Sequence, residues 1–269
     1  MNQVTVLQAA LLGLIQGLTE FLPISSSGHL VLARALMDLN EVPVLFDVLL
    51  HIATLLVVVW VFRRRLGWFL ASLFRYFSRQ TRESDKPNLR LFLRLLVATA
   101  ITAIVAYIVS GLRVRESPVI VSAFLMLTAL ILLSTVSVKG NKNLEELSWV
   151  GTLVTGTAQG FGVFPGISRS GITIASGMMV GMDRRAAGEF SFLLLIPAVA
   201  AAFLLSLRDA AELSNTVSIS ALLVGFTSAL IAGYASLKFL LWLIARGRLW
   251  FFAIYLIPVS IMGLLHFGF

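Results

Sequence analysis

Ten consecutive residues in an otherwise apolar stretch, Glu20-Phe-Leu-Pro-Ile-Ser25-Ser26-Ser27-Gly28-His29, carry a carboxylate, three hydroxyls and an imidazole. Each type has a known use at membrane depth. A serine becomes a nucleophile when a base lies within reach. An imidazole titrates near neutral pH and serves as general acid or base. A carboxylate inside a membrane is neutral unless it is paired or bound to a cation. Pro23 and Gly28 interrupt the stretch, so one straight helix cannot run through it cleanly. A broken polar segment is tolerated there only when buried in protein or lining a wet cavity, which makes it a functional-site candidate.

A second group lies far along the chain, at Pro165-Gly-Ile-Ser168-Arg169-Ser170-Gly-Ile-Thr173. A Ser/Gly turn at a helix N-terminus presents free N–H groups to an anion, and arginine adds a fork that fits phosphate oxygens. Ser168, Arg169 and Ser170 therefore read as a phosphate cradle, against the alternative that Arg169 snorkels or pairs with Glu20. Thr173, one turn past Arg169, reads equally as cap or ligand. Gln16 lies one turn before Glu20 on the same face. Together, Glu20 and Gln16 offer oxygens to a hard cation, Mg2+ or Ca2+. Ser25, Ser26 and Ser27 include at least two helix caps, and Ser25 and Ser27 also read as phosphate ligands; one of the three is a candidate nucleophile, and His29 is the base or acid that activates either a serine or a water. His51 and His266 lie in apolar spans without a polar companion and read as structural. Asp47 and Glu189 open spans, where acidic residues favour helix N-termini.

The elements that must hold these groups are membrane helices. Of 269 residues, 58% are hydrophobic and 13% charged, where a soluble domain carries roughly a quarter charged. Apolar runs of about 20 residues recur, which suits helices rather than a barrel. The absence of Cys excludes a disulfide framework and a thiolate metal site. A net charge of +8 is better explained by loops on one side of a membrane than by nucleic acid. The first apolar stretch has no preceding Lys/Arg region, so it does not read as a cleavable signal.

Residues 1–22 and about 25–38 read as a re-entrant helical pair. Full spans follow at about 45–62, 91–111 and 118–138, with a basic polar loop at 75–90 and another polar loop from Lys139 to Glu146. Residues 149–182 read as a second re-entrant pair, and spans at about 187–206, 217–244 and 249–268 complete an all-α polytopic membrane protein with about six full spans. With the N-terminus outside, one face receives the basic residues from Arg63 to Arg94, then Lys139, Lys142, Arg184, Arg185, Lys238, Arg246 and Arg248. The other receives Arg34, Arg113, Arg115 and Arg208. The positive-inside rule puts the first face in the cytoplasm.

Shifted by 143 residues, the chain matches itself. Gly13, Gln16, Gly17, Phe21, Ile24, Ser25, Ser27 and Gly28 fall on Gly156, Gln159, Gly160, Phe164, Ile167, Ser168, Ser170 and Gly171. Chance at this composition supplies about one or two such identities over that stretch. By the span map the copies enter from opposite sides, which makes an inverted-topology repeat, the first half about 1–111 and the second about 118–269 in one integral domain. Such repeats bring broken helices together near the midplane, where substrate binds. One copy supplies Glu20, Ser26 and His29; the other has Val163, Arg169 and Ile172 in their places. Folded together, they set an acid–base group against an anion clamp.

Gln16-Gly-Leu-Thr-Glu20 with Pro23-Ile-Ser-Ser-Ser-Gly-His29 resembles the (Glu/Gln)-x-x-x-Glu and Pro-x-Ser-Ser-x-Gly-His motifs of the undecaprenyl pyrophosphate phosphatases of the bacitracin-resistance type. Pro165-Gly-Ile-Ser168-Arg169-Ser170-Gly-Ile-Thr173 resembles their Pro-Gly-x-Ser-Arg-Ser-x-x-Thr motif, and the likeness extends over the whole chain. The resemblance implies a bacterial inner-membrane hydrolase, active on the outer face, that needs a divalent cation and converts undecaprenyl diphosphate to undecaprenyl phosphate. That product is the lipid carrier for peptidoglycan precursors, hence the link to bacitracin resistance. It implies functional roles for Glu20, Ser26, His29, Ser168, Arg169 and Thr173. Gln16 stands where some members have Glu, so one carboxylate is gone here. The implied partners are the lipid diphosphate and the bilayer, not nucleic acid, with a homodimer left open. A secondary transporter or polyprenyl-phosphate flippase fits the inverted repeat equally well; the Ser, His, Glu and Arg set favours hydrolysis, because transport needs no nucleophile and base.

Overall fold

The computed structural model describes residues 4–39, 42–111, 117–206 and 217–268. Arg113, Arg115 and Arg208, used above for orientation, lie outside the described residues. The described residues form eleven α-helices: α1 Val6–Phe21, α2 Ser26–Leu36, α3 Val44–Val61, α4 Arg63–Phe77, α5 Lys86–Ser110, α6 Pro118–Ser134, α7 Trp149–Phe161, α8 Arg169–Met179, α9 Arg184–Ser206, α10 Ile219–Ala245 and α11 Phe251–Gly268. Among the described residues there is no sheet, only two isolated bridges.

Both re-entrant pairs are present. The helices α1 and α2 pack on each other across a break at residues 22–25, and α7 and α8 do so across residues 162–168. Among the described residues, five helices are long and apolar enough to cross a membrane: α3, the segment Glu83–Ser110 containing α5, α9, α10 and α11. The sixth expected span, α6, is apolar but has 17 residues, at the short limit for a crossing.

Two boundaries differ from the sequence reading. The basic loop at 75–90 is largely structured, because α4 runs to Phe77 and α5 begins at Lys86. The physical reason is Asp85, which is 1% exposed. Its carboxylate accepts from Ser72 Oγ (3.0 Å), Arg75 Nε (2.9 Å) and the Arg82 N–H (2.9 Å), fastening the start of α5 to α4. The second is α4 itself, which starts at Arg63, where the sequence reading ends a span and places no further helix. The 143-residue shift carries α1, α2 and α3 onto α7, α8 and α9.

α1 packs on α10, α7 on α5, α3 on α9 and α6 on α11. In lipid, helices associate through close backbone approach rather than by hiding apolar surface from water. A Cβ on Gly13 of α1 would overlap the Gly225 carbonyl oxygen of α10, and one on Gly156 of α7 would lie 2.8 Å from the Ala98 carbonyl oxygen of α5. Phe21, Phe190 and Phe192 are buried in the larger apolar cluster and Phe46 in a second one beside α1 and α10.

Candidate active site

Each re-entrant break ends at a helix N-terminus. Ser25 caps α2 by accepting from the Gly28 N–H at 3.3 Å, and its repeat partner Ser168 caps α8 by accepting from the Gly171 N–H at 3.1 Å. Such caps satisfy one of the free donors of the first turn and leave others directed forward. The two tips touch: Ser25 Oγ also accepts from the Gly166 N–H at 3.0 Å. Gly166 sits at φ +99°, and a Cβ there would lie 2.5 Å from the Val121 carbonyl oxygen, so only glycine fits. Ser25 has φ +69° and ψ +95°, a strained backbone for a residue with a Cβ, at a cost of about 1–3 kcal/mol.

Between the tips lies a cavity of about 260 Å³, lined by Glu20, Ser25, Ser26, Ser27, His51, Ser168 and Arg169, with Val163, Ala198, Val199 and Ala202 on its apolar side. Glu20 is its centre, with a side chain 2% exposed. One oxygen, Oε1, pairs with the Arg169 guanidinium across the two halves of the chain. The other, Oε2, accepts from Ser26 Oγ at 2.5 Å and from Gln16 Nε2 at 3.0 Å. A short O–H···O⁻ bond is the strong, charge-assisted kind, and it places the Ser26 hydroxyl against a carboxylate that can take its proton. The first turns of α2 and α8 both face the cavity, and helix N-termini favour bound anions.

Of the residues singled out from the sequence, Glu20, Ser25, Ser26, Ser27, Ser168 and Arg169 meet in this cavity. Gln16 is fully buried behind Glu20. Like Gln16, three others do not line it. Ser170 Oγ lies 3.3 Å from Ser168 Oγ and 3.5 Å from the Leu22 carbonyl. Thr173 is fully buried and donates to the Arg169 carbonyl one turn back at 2.6 Å. His29 points off the other side of α2. Its Nδ1–H donates to the Ser25 carbonyl at 2.8 Å and its Nε2 accepts from the Tyr255 hydroxyl at 2.9 Å. With both nitrogens engaged outside the cavity, His29 does not reach Ser26 as a base, and that expectation is corrected.

The imidazole in the cavity is His51, which the sequence reading set aside. Its Nδ1–H donates to the Asp47 carbonyl at 2.8 Å, which turns Nε2 toward Glu20 Oε2 at 3.5 Å. A signal was present: Asp47, His51 and Thr54 make a polar stripe at helical spacing along an otherwise apolar span. Asp47 and Glu189 also do more than favour a helix start, since Asp47 pairs with Arg34 and Glu189 lies 3.1 Å from Arg65.

No group of three or more His, Asp or Glu side chains gathers among the described residues. A divalent cation would meet the Glu20 carboxylate and Gln16 Oε1, which is buried without a partner. That donor set fits a hard ion that takes the rest of its shell from water and phosphate oxygens, as Mg2+ usually does.

The family model described as bacitracin resistance protein BacA matches residues 9–262. A protein of Treponema denticola named undecaprenyl-diphosphatase is 42% identical over 98% of this chain and 99% of its own length. Proteins of the same name from Desulfatibacillum aliphaticivorans and Methanobrevibacter smithii are 38% and 37% identical, over 93% and 96% of this chain and 94% and 96% of their own.

Proposed function

The chain belongs to the bacitracin resistance protein BacA family, and from that premise we propose that it is an undecaprenyl-diphosphatase whose reaction takes place between the tips of the two re-entrant pairs. The observation that carries the reading is one carboxylate, Glu20, holding the Ser26 hydroxyl on one oxygen and the Arg169 guanidinium on the other, inside a cavity faced by two helix N-termini.

The diphosphate enters this cavity. Arg169 leaves part of its hold on Glu20 to meet the terminal phosphate, with the first-turn N–H groups of α2 and α8 as further donors. Preorganised positive groups of this kind are the main source of rate in phosphoryl transfer. Ser26 Oγ attacks the terminal phosphorus as its proton passes to Glu20. The bond from phosphorus to the bridging oxygen breaks, and undecaprenyl phosphate departs. Water then attacks the phosphorus of the phosphoserine, the bond from phosphorus to Ser26 Oγ breaks, inorganic phosphate departs, and Glu20 returns the proton to Ser26 Oγ. His51 Nε2, with the ring proton on Nδ1, is an acceptor on the same cavity wall, placed to orient the attacking water. Glu20 and Gln16 Oε1 would hold a divalent cation, whose chemistry there would be to offset phosphate charge.

The polyprenyl chain has a path from the site. An apolar cavity of about 550 Å³ between α5, α7 and α9 shares Gly162, Val163, Arg169, Ala198 and Ala202 with the reaction cavity. Small side chains such as Ala103, Ala106 and Ala201 keep it open. The excess of basic residues on the opposite side supports a site facing away from the cytoplasm of a bacterial inner membrane.

The test is phosphate release from undecaprenyl diphosphate by the purified protein, with and without a chelator. Release that stops with chelator and returns with Mg2+ or Ca2+ is expected. Tight binding of the lipid without phosphate release under any metal condition would instead assign a transporter.

A further inference from the structure

The motif histidine lies outside the reaction cavity, yet it is not idle. The Ser25 carbonyl accepts from His29 twice, from its main-chain N–H at 3.1 Å and from Nδ1–H at 2.8 Å. Because a carbonyl only accepts, the ring proton sits on Nδ1, and Nε2 is left to accept from the Tyr255 hydroxyl at 2.9 Å. The two rings lie within 14° of parallel. The chain of bonds therefore runs Tyr255 O–H to His29 to the Ser25 carbonyl. It ends on the residue with φ +69°, immediately before the Ser26 nucleophile.

A strained residue persists only where its surroundings over-determine it. Here the restraints come from three sides: the Gly28 and Gly166 N–H groups on Oγ, and His29 on the carbonyl. The other re-entrant tip is held in a comparable way from another helix. Thr128 of α6 donates to the Gly166 carbonyl at 2.8 Å and accepts from the Ser168 N–H at 3.0 Å. α11, which packs on α6, supplies Tyr255.

We propose that Tyr255 and His29 are positioning residues: they clamp the strained Ser25 turn from behind and so aim Ser26 Oγ at the phosphorus. A reacting oxygen moved by as little as 1 Å loses rate steeply. The clamp touches neither phosphate nor tail, so its loss lowers kcat and leaves KM in place.

The proposal rests on the hydrolysis described above, and the experiment separates the two. Steady-state phosphate release is measured for wild type, Tyr255→Phe, His29→Asn, His29→Gln and the double variant His29→Asn/Tyr255→Phe, each monodisperse in detergent with a thermal midpoint near wild type. Tyr255→Phe lowers kcat about fivefold, the effect of one lost hydrogen bond, at unchanged KM. Asn carries an N–H donor at the Nδ1 position, so His29→Asn stays within about tenfold of wild type. His29→Gln carries its donor at the Nε2 position and falls about a hundredfold. On the Asn background, Tyr255→Phe has no further effect, because its partner atom is gone. An unchanged kcat in Tyr255→Phe, or His29→Asn as inactive as His29→Gln, overturns the clamp. A wild type that releases no phosphate overturns the hydrolysis itself.

Discussion

At the scale of single residues, chemistry is divided between two faces of α2. Ser26 faces the carboxylate of Glu20, while His29 faces Tyr255. The cavity imidazole comes from α3 as His51. His51→Ala is expected to lower the kcat of phosphate release by about a hundredfold, the low end of what a positioned proton-handling group contributes. Activity within threefold of wild type would remove His51 from the reaction. Glu20, Ser26 and Arg169 were legible in the sequence because polar and charged groups at membrane depth are costly and stand out. Ser170 and Thr173 share the motif but serve the start of α8, and spacing alone does not separate a hydroxyl bonded one turn back from one aimed at a ligand. His29 misled for the same reason. Proximity to Ser26 along a helix says nothing of which face it takes: residues three apart are neighbours on a helix, yet here they diverge at the first turn, where the backbone leaves Ser25 at positive φ.

At the scale of elements, the re-entrant pairs were readable from Pro and Gly breaks and from the repeat, and α2 and α8 occupy equivalent positions under the 143-residue shift. The start of α5 was not readable. Glu83, Asp85, Lys86 and Pro87 resemble loop composition, and only the fold shows Asp85 buried against Ser72 and Arg75. Asp85→Ala leaves those donors without their acceptor, a loss of about 1–3 kcal/mol. The expected outcome is faster proteolytic cleavage between Arg75 and Lys86 with phosphate release within twofold of wild type. Cleavage at the wild-type rate would show that the α4–α5 fastening carries no stability. The apolar cavity between α5, α7 and α9 depends on small residues such as Ala202, a pattern that periodicity does not distinguish from ordinary helix packing.

At the scale of the whole molecule, neither half of the chain holds a complete site. The first contributes Glu20, Ser26 and His51, the second Ser168 and Arg169, and Glu20 and Arg169 join them across the interface. The inverted repeat was legible because eight identities survive between the copies, and the difference between them, carboxylate and hydroxyl against guanidinium, foretold what each half supplies. The most direct measurement is kcat/KM for phosphate release from undecaprenyl diphosphate by wild type, Ser26→Ala, Arg169→Lys and the double variant. Groups that act as one unit are strongly non-additive. Each single change is expected to lose at least about a hundredfold, with the double variant no worse than the weaker single. Losses that multiply, or wild-type turnover in either single variant, would contradict a site built jointly by the two halves.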